Sequence, residues 1–384
     1  MTERLYYDDA YLTAFDAVVT EVRPDGWIAL DRSAFYPTSG GQPYDTGTLN
    51  GAAVTDVQVQ SGIVWHKAEG SFTPGQTVHG VIDWPRRFEH MQQHAADHML
   101  AGAAWQLYGG VTIGLHLGSE DSTIDMDLPG GRTHLTTEEI DTLEALVNRR
   151  VQQDDPIRCW FPAPEELAAL PLRKRPTVSE HVRIVAMGDY EMVACGGTHP
   201  RTTGQIGPIK IISSTPARGK MRLCFVAGMR AVRYLQRAAR CASQVSQALS
   251  ADFDTAAEAL QKERETTLEA RRELNAKLTQ AALQTLRAGQ RGNVYAGHLA
   301  FADHETLLHA AAELTREPDA IVLLSCPHKG GRMLVFARGA QASPDMAALI
   351  RACGGRGGGK PDMAQGNAPD GSVLERATEE VLKL

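Results

Sequence analysis

The sequence predicts an α+β protein built from several domains. Three observations carry that expectation. Short stretches of alternating apolar and polar residues, broken by turn residues, fill the first 85 positions; helical spacing takes over at Pro85; and strand and helix patterns alternate again towards the C-terminus. At 384 residues the chain exceeds what one ordinary core holds. Its composition, 43% hydrophobic and 22% charged, is that of an ordinary globular protein.

Residues 17–22, 27–31, 54–60 and 63–67 read as strands, separated by Pro24-Asp25-Gly26, Asn50-Gly51 and Ser61-Gly62. They predict a small β-barrel or a strongly curved sheet over residues 1–85. After Pro85, Phe88, Met91, Ala95, Met99 and Ala103 recur at helical spacing. A second helix starts at Thr136, which forms a capping box with Glu139, and Ile140, Leu143, Leu146 and Val147 give it one apolar face. Strands at 182–186, 209–213 and 221–226 complete an α/β domain over 86–230. From 229 to about 286 the pattern is almost continuously helical, with Leu260, Leu268, Leu274, Leu278 and Leu286 in a stripe. A helix that long needs a partner, either a second helix of its own chain or another subunit. Residues 231–290 are therefore expected as a long helix or helical hairpin, serving as a spacer or as a homodimer interface. Residues 291–384 read β-α-β-β-α, with a helix at 306–314 and strands at 320–324 and 332–337. A glycine-rich run, 354–366, interrupts that pattern before a final helix at 372–384.

No apolar run approaches the roughly 18–20 residues that span a bilayer. The N-terminus carries acids and aromatics where a signal peptide has an apolar core. A cytoplasmic protein with no membrane partner is expected. The six cysteines (Cys159, Cys195, Cys224, Cys241, Cys326 and Cys353) form no CxxC pair, which in a reducing compartment leaves buried thiols, metal ligands or nucleophiles. A net charge of −7 argues against a general nucleic-acid binder. The charge is uneven, however. Arg201, Lys210, Arg218, Lys220, Arg222, Arg230, Arg233, Arg237 and Arg240 follow one another with no acid between them, and Arg173-Lys174-Arg175 lies nearby. Such a run suits a phosphate backbone; a basic face paired with acids elsewhere is the alternative.

His94 and His98 are four residues apart on the helix after Pro85, so both imidazoles fall on one face. His90 and His94 offer a second such pair, but Met91, Ala95 and Met99 set a helix phase that favours the later one. Cys195-Gly196-Gly197-Thr198-His199 adds a thiol and an imidazole on a turn whose glycines let the backbone fold tightly. Two histidines, a cysteine and a third histidine make a ligand set that zinc favours over magnesium or calcium. A strained turn with a buried thiol is the alternative for the second motif alone.

Taken together, these motifs, about 100 residues apart, resemble the zinc-containing second additional domain of threonyl- and alanyl-tRNA synthetases, an editing domain. Ser33-Ala34-Phe35-Tyr36-Pro37-Thr38-Ser39-Gly40-Gly41-Gln42, followed by Asp45 and Gly47, resembles the FYP-x-x-GGQ and D-x-G signature of the alanyl branch. Arg222-Leu223 through Val226-Ala227-Gly228-Met229-Arg230-Ala231 resembles the strand and GxRA turn that close the domain, and Gly354 to Gly366 resembles the DHHA1 domain. The order is that of AlaX proteins of the long, DHHA1-bearing kind. Three positions depart from the pattern: Ser33 where threonine is usual, Asp97 where threonine or glutamine is usual, and Asn367 for a common glycine.

The resemblance implies a freestanding editing hydrolase that removes serine or glycine from the 3′ end of mischarged tRNA(Ala), with one Zn²⁺ per chain on His94, His98, Cys195 and His199. Zinc can activate water and polarise an ester carbonyl, yet four protein ligands fill a tetrahedral site, so catalytic and positioning roles both stand. Ser33 is the candidate wall for a serine hydroxyl and Gln42 the candidate for water or ester contact; a turn joining two strands is the alternative for both. Arg218, Lys220 and Arg222, with Arg356 and Lys360 of the glycine run, are candidates for tRNA phosphates. Two other functions compete: a non-catalytic tRNA-binding module with a structural zinc, and a DHHA1-associated phosphoesterase. The second would need an aspartate-rich metal site, which Asp97-His98-Met99 does not supply. No class II ATP-binding core fits before residue 86, so amino-acid activation is not expected.

Overall fold

A computed structural model describes residues 1–176 and 181–383. They form two compact units, Met1–Ala242 and Ser243–Leu384. The mixed α+β class stands in both.

After a short N-terminal strand and helical turn, unit 1 has a ring of six antiparallel strands: β1 Ala14–Val22, β2 Trp27–Leu30, β3 Gly47–Leu49, β4 Ala52–Gln60, β5 Ile63–Ala68 and β6 Thr77–Ile82. Pairing runs β1-β2-β5-β4-β3-β6, and β6 pairs in turn with β1. The small barrel expected here reduces to a ring of paired strands, one of which, β3, has three residues. Strict alternation builds the interior. Phe15, Ala17 and Val19 of β1 and Val78, Gly80 and Ile82 of β6 point inward, joined by Ile28, Leu49, Val57 and Val64.

The chain then enters α1, Trp84–Tyr108. The Asp83 carboxylate accepts the Arg86 N–H as N-cap, and Pro85 sits in the first turn, where its missing N–H is no loss. One residue later, the fully buried Arg87 ties three distant segments together. Its guanidinium pairs with Asp45 and donates to the carbonyls of Ala10 and Ala34. Asp45 also accepts the Tyr36 N–H at 2.6 Å, so the loop between β2 and β3 is held against the start of α1.

Beyond α1 come β7 Val111–Leu117, β8 Ser122–Asp127 and α2 Thr137–Gln153, whose capping box between Thr136 and Glu139 is formed as expected. A three-stranded sheet follows, β9 Ile157–Trp160, β10 Ile184–Met187 and β11 Glu191–Ala194, and then β12 Ile209–Ala217 and β13 Lys220–Ala227. The order β12-β13-β8-β7 makes a four-stranded sheet. Ala95, Met99 and Ala103 of α1 pack against Ile124, Met126, Leu223 and Phe225 of this sheet and Leu143 and Val147 of α2.

For the long helix or helical hairpin expected over 231–290, the structure has two helices, α3 Gly228–Leu249 and α4 Ala256–Ala288, with Ser250 at φ +50° between them. Leu260, Leu268 and Leu274 on α4 are exposed. Unit 2 continues with β14 Val294–His298, α5 His304–Leu314, β15 Ile321–His328, β16 Gly331–Arg338, α6 Met346–Ala352, β17 Arg356–Gly359, β18 Met363–Ala368 and α7 Ser372–Val381. The sheet order is β14-β15-β16-β18-β17, parallel only between β14 and β15. The glycine-rich run, read as an interruption, is instead the paired strands β17 and β18. Gly357 lies opposite Gly366, so close that a Cβ on Gly357 would sit 2.2 Å from the Gln365 carbonyl oxygen. Pairing with β18 outweighs the poor strand propensity of glycine. The final helix, expected over 372–384, ends at Val381, and Leu384 lies outside the described residues.

Arg87→Ala would strand the buried Asp45 carboxylate, and unit 1 should lose about 3–5 kcal/mol in urea unfolding followed by tryptophan fluorescence. A second expectation concerns His66 on β5, which burial holds neutral down to about pH 4 against 6.5 for a free imidazole. The unfolded chain takes up a proton that the folded one refuses, so stability should fall as pH drops from 6.5 towards about 4. The urea midpoint of His66→Gln should slope less over that window.

Candidate metal centre

From Arg87 to Ala104 nearly every residue of α1 is buried, the polar ones included. Buried polar groups need partners, and this sorts them. The Gln93 amide clamps Ala227, donating to its carbonyl at 3.0 Å and accepting its N–H at 2.9 Å. Gln92 donates to the Gln205 carbonyl at 3.0 Å. These two are structural. His94, Asp97 and His98 remain, at spacings of three and four residues that share one face. His90, the rival of the sequence pattern, stands apart from the convergent group, its buried Nδ1 without a partner among the described residues.

The second half of the site is the turn after β11. Arg183, itself buried, grips it: the Cys195 N–H donates to the Arg183 carbonyl at 3.0 Å, and the guanidinium donates to the carbonyls of Cys195 at 3.1 Å and Gly197 at 2.8 Å. Gly197 lies flat against His94, where a Cβ would come within 2.2 Å of the imidazole Cε1. Only glycine allows this approach. One donor atom from each of His94, His98, Cys195 and His199 lies within 4.8 Å of the other three. Cys195 Sγ is 3.4 Å from Nε2 of both His94 and His199.

Gln42 stands behind the ligands rather than among them. Its Oε1 accepts the Thr198 N–H at 3.3 Å, which fixes the amide orientation. The same oxygen lies 2.8 Å from His94 Nδ1, which must therefore carry the proton and leave Nε2 free for a metal. The Gln42 nitrogen donates to the Thr198 hydroxyl at 2.8 Å, so one fully buried amide joins both halves of the site. Gly41 makes this possible: φ is +85°, and a Cβ there would sit 2.6 Å from the Leu115 carbonyl oxygen.

The electrostatics suit a cation. Burial drives His94 down to about 4 and His98 and His199 well below the ordinary imidazole value, so all three present neutral nitrogens at pH 7. The same burial pushes the Cys195 thiol up to about 12, and a divalent ion on its sulfur would reverse that. The Nδ1 atoms of His98 and His199 are buried without partners among the described residues. Three imidazoles and a thiol at this spacing fit a tetrahedral, nitrogen- and sulfur-preferring metal. Burial also raises the Asp97 carboxyl to about 7. A cavity of about 360 Å³ opens on the ligands, walled by Tyr36, Ser39, Asp97, Thr112, Ile113 and Arg173 among others.

The remaining candidates fall elsewhere. Ser33 is fully buried; its hydroxyl lies 2.7 Å from His66 Nε2 and accepts the Phe35 N–H, and it is not among the residues walling the cavity. Lys220 pairs with Asp127 at 2.6 Å and Arg222 with Asp125 at 2.7 Å, from acids on β8. Lys210 pairs with Glu144, and Arg230 and Arg233 share Glu89. The basic run is thus largely matched by acids that lie far off in sequence, while Arg218, Arg237 and Arg240 make no ion pair among the described residues. Arg356 and Lys360 are exposed at β17 and the turn after it. The sequence reading missed Arg183 and Thr112. A charged residue inside the apolar stretch Val182–Met187 was the available signal for the first; the second had none.

Gln42→Ala keeps all four ligands but frees the His94 ring, and should weaken metal affinity roughly 10–100-fold in a chelator competition.

The chain matches three families: tRNA synthetases class II (A) over residues 10–86, the threonyl and alanyl tRNA synthetase second additional domain over 182–223, and the DHHA1 domain over 294–384. The alanine–tRNA ligase of Thermococcus kodakarensis is 33% identical across 100% of this chain and 43% of its own length. That of Pyrococcus furiosus is 34% identical across 100% of this chain and 43% of its own length. The chain therefore spans less than half of these relatives. From these matches it is an AlaX-like protein, related to the alanyl-tRNA synthetases.

Proposed function

We propose that the protein hydrolyses the ester between a wrong amino acid and tRNA(Ala), serine first and glycine second, with a zinc ion held by His94, His98, Cys195 and His199. The observation that carries this reading is the convergence of three neutral imidazoles and a thiol, three of these four ligands (His94, His98 and Cys195) lining a cavity large enough for an amino acid. The second additional domain it shares with the threonyl and alanyl synthetases supports the same chemistry. When bound, zinc lowers the pKa of water and polarises an ester carbonyl. The chain's own groups do the rest. Gln42 keeps His94 Nε2 turned towards the other ligands, and Arg183 keeps the Cys195 turn closed over them.

Serine recognition falls to a different residue than the sequence suggested. Ser33 already gives its hydroxyl to His66, whereas the buried Thr112 hydroxyl lacks a partner among the described residues and its residue walls the cavity. A seryl hydroxyl would satisfy it, and an alanyl methyl would leave it unpaired. For the RNA body, Arg356 on β17, Lys360 on the turn after it and Arg218 on the β12–β13 turn are available to phosphates, Lys220 and Arg222 less so because of their acids. The exposed leucines of α4 support a homodimer. A purely structural zinc is the second reading, favoured by a full set of four protein ligands.

Purified protein should release serine from Ser-tRNA(Ala) and spare Ala-tRNA(Ala). Chelation, or Cys195→Ala, should each slow release by roughly 100-fold or more. Hydrolysis that survives both treatments would refute zinc catalysis, and tRNA binding without hydrolysis would favour the structural zinc.

A further inference from the structure

The cavity beside the metal ligands contains a carboxylate that the protein leaves unanswered. Asp97 is only 7% exposed, it lines the cavity, and its Oδ1 is buried with no hydrogen-bond partner among the described residues. On α1 it follows His94 by three residues and precedes His98, so it shares the face that carries both ligands. Its charged neighbours are engaged with each other. Arg173 donates from Nε to both oxygens of Glu191, at 3.0 and 3.1 Å, and the two side chains are 10% and 1% exposed. Glu191 is wedged against α1 at Gly102, where a Cβ would meet its carboxylate oxygen at 2.2 Å. The guanidinium that could have matched Asp97 is thus already matched.

A buried carboxylate is unfavourable unless a cation meets it. Gln92 and Gln93, on the same helix, show how this protein treats polar groups that serve only the fold: each has a backbone partner. Asp97 has none and faces space that a ligand can enter. Resting on the hydrolase reading above, the ligand brings one cation of its own, the free α-ammonium on the carbon next to the ester carbonyl. We propose that Asp97 is the specificity-determining residue that receives this α-ammonium, anchoring the amino acid beside the metal ligands and restricting the substrate to esters with a free amine. The pair forms by an ion-paired hydrogen bond at a largely buried carboxylate, where such a bond is stronger than at a surface.

The test compares two esters of the same tRNA(Ala), the seryl ester and its α-hydroxy analogue, in which a hydroxyl of similar size replaces the ammonium. Each rate is corrected for uncatalysed hydrolysis. The wild-type protein should lose roughly 100-fold in kcat/KM on the analogue. Asp97→Asn should lose activity on the seryl ester, change little on the analogue, and so remove most of that difference, with zinc per chain unchanged. Equal cleavage of both esters by the wild type overturns the proposal, as does a variant that keeps the discrimination or one that loses its metal, which would make Asp97 a ligand. The wild-type comparison decides the matter even if the variant folds poorly. Wild-type protein that cleaves neither ester shows that the hydrolase reading itself is wrong, a result distinct from equal cleavage of both.

Discussion

Between Arg87 and Ala104 α1 runs through the interior of unit 1, and any polar side chain there must be paired or carry a cost. The geometry of the site follows from that constraint. Arg87 is answered by Asp45 and two carbonyls, Gln92 and Gln93 by backbone groups of neighbouring segments, and His94 by Gln42. Each answer comes from a different part of the chain, so the helix can be buried only when the N-terminal segments, the glycine loop and the segments around Gln205 and Ala227 are all in place. His90, Asp97 and His98 keep buried atoms without partners among the described residues, and of these Asp97 and His98 line the cavity.

Close approach of backbones is the second requirement. The Gln42 loop reaches α1 because Gly41 can pass the Leu115 carbonyl, and the Cys195 turn reaches it because Gly197 can lie on His94. With both loops seated, the ligand imidazoles are largely buried and stay neutral. Desolvation of this kind disfavours every charged form in the cluster, the Cys195 thiolate included, and so leaves a site whose unfavourable terms a divalent cation would relieve.

The positive run from Arg201 to Arg240 illustrates how far linear charge counting reaches. It contains no acid, yet five of its nine members meet carboxylates from β8, α2 or α1 at 2.9 Å or less. Most of these pairs are partly exposed and contribute little stability; their effect is to lower the local positive field that an RNA backbone would meet. In unit 2 the glycines of the edge strand β17 are exposed, with Arg356 on that strand and Lys360 on the turn after it.

By itself the sequence determined the α+β class, the Thr136 capping box, most strands with clean alternation, and the four convergent donors, because each is written in spacings of two, three or four residues. Tertiary structure decided the rest. Gln42 supports a ligand instead of meeting substrate, Ser33 belongs to His66, Asp97 Oδ1 has no partner among the described residues, and a run of glycines becomes two strands. The physical reason is common to all of them. A hydrogen bond or ion pair is set by which groups meet in space, often across 50 or more residues, as between Gln42 and His94 or Thr198. Local periodicity carries no record of such meetings.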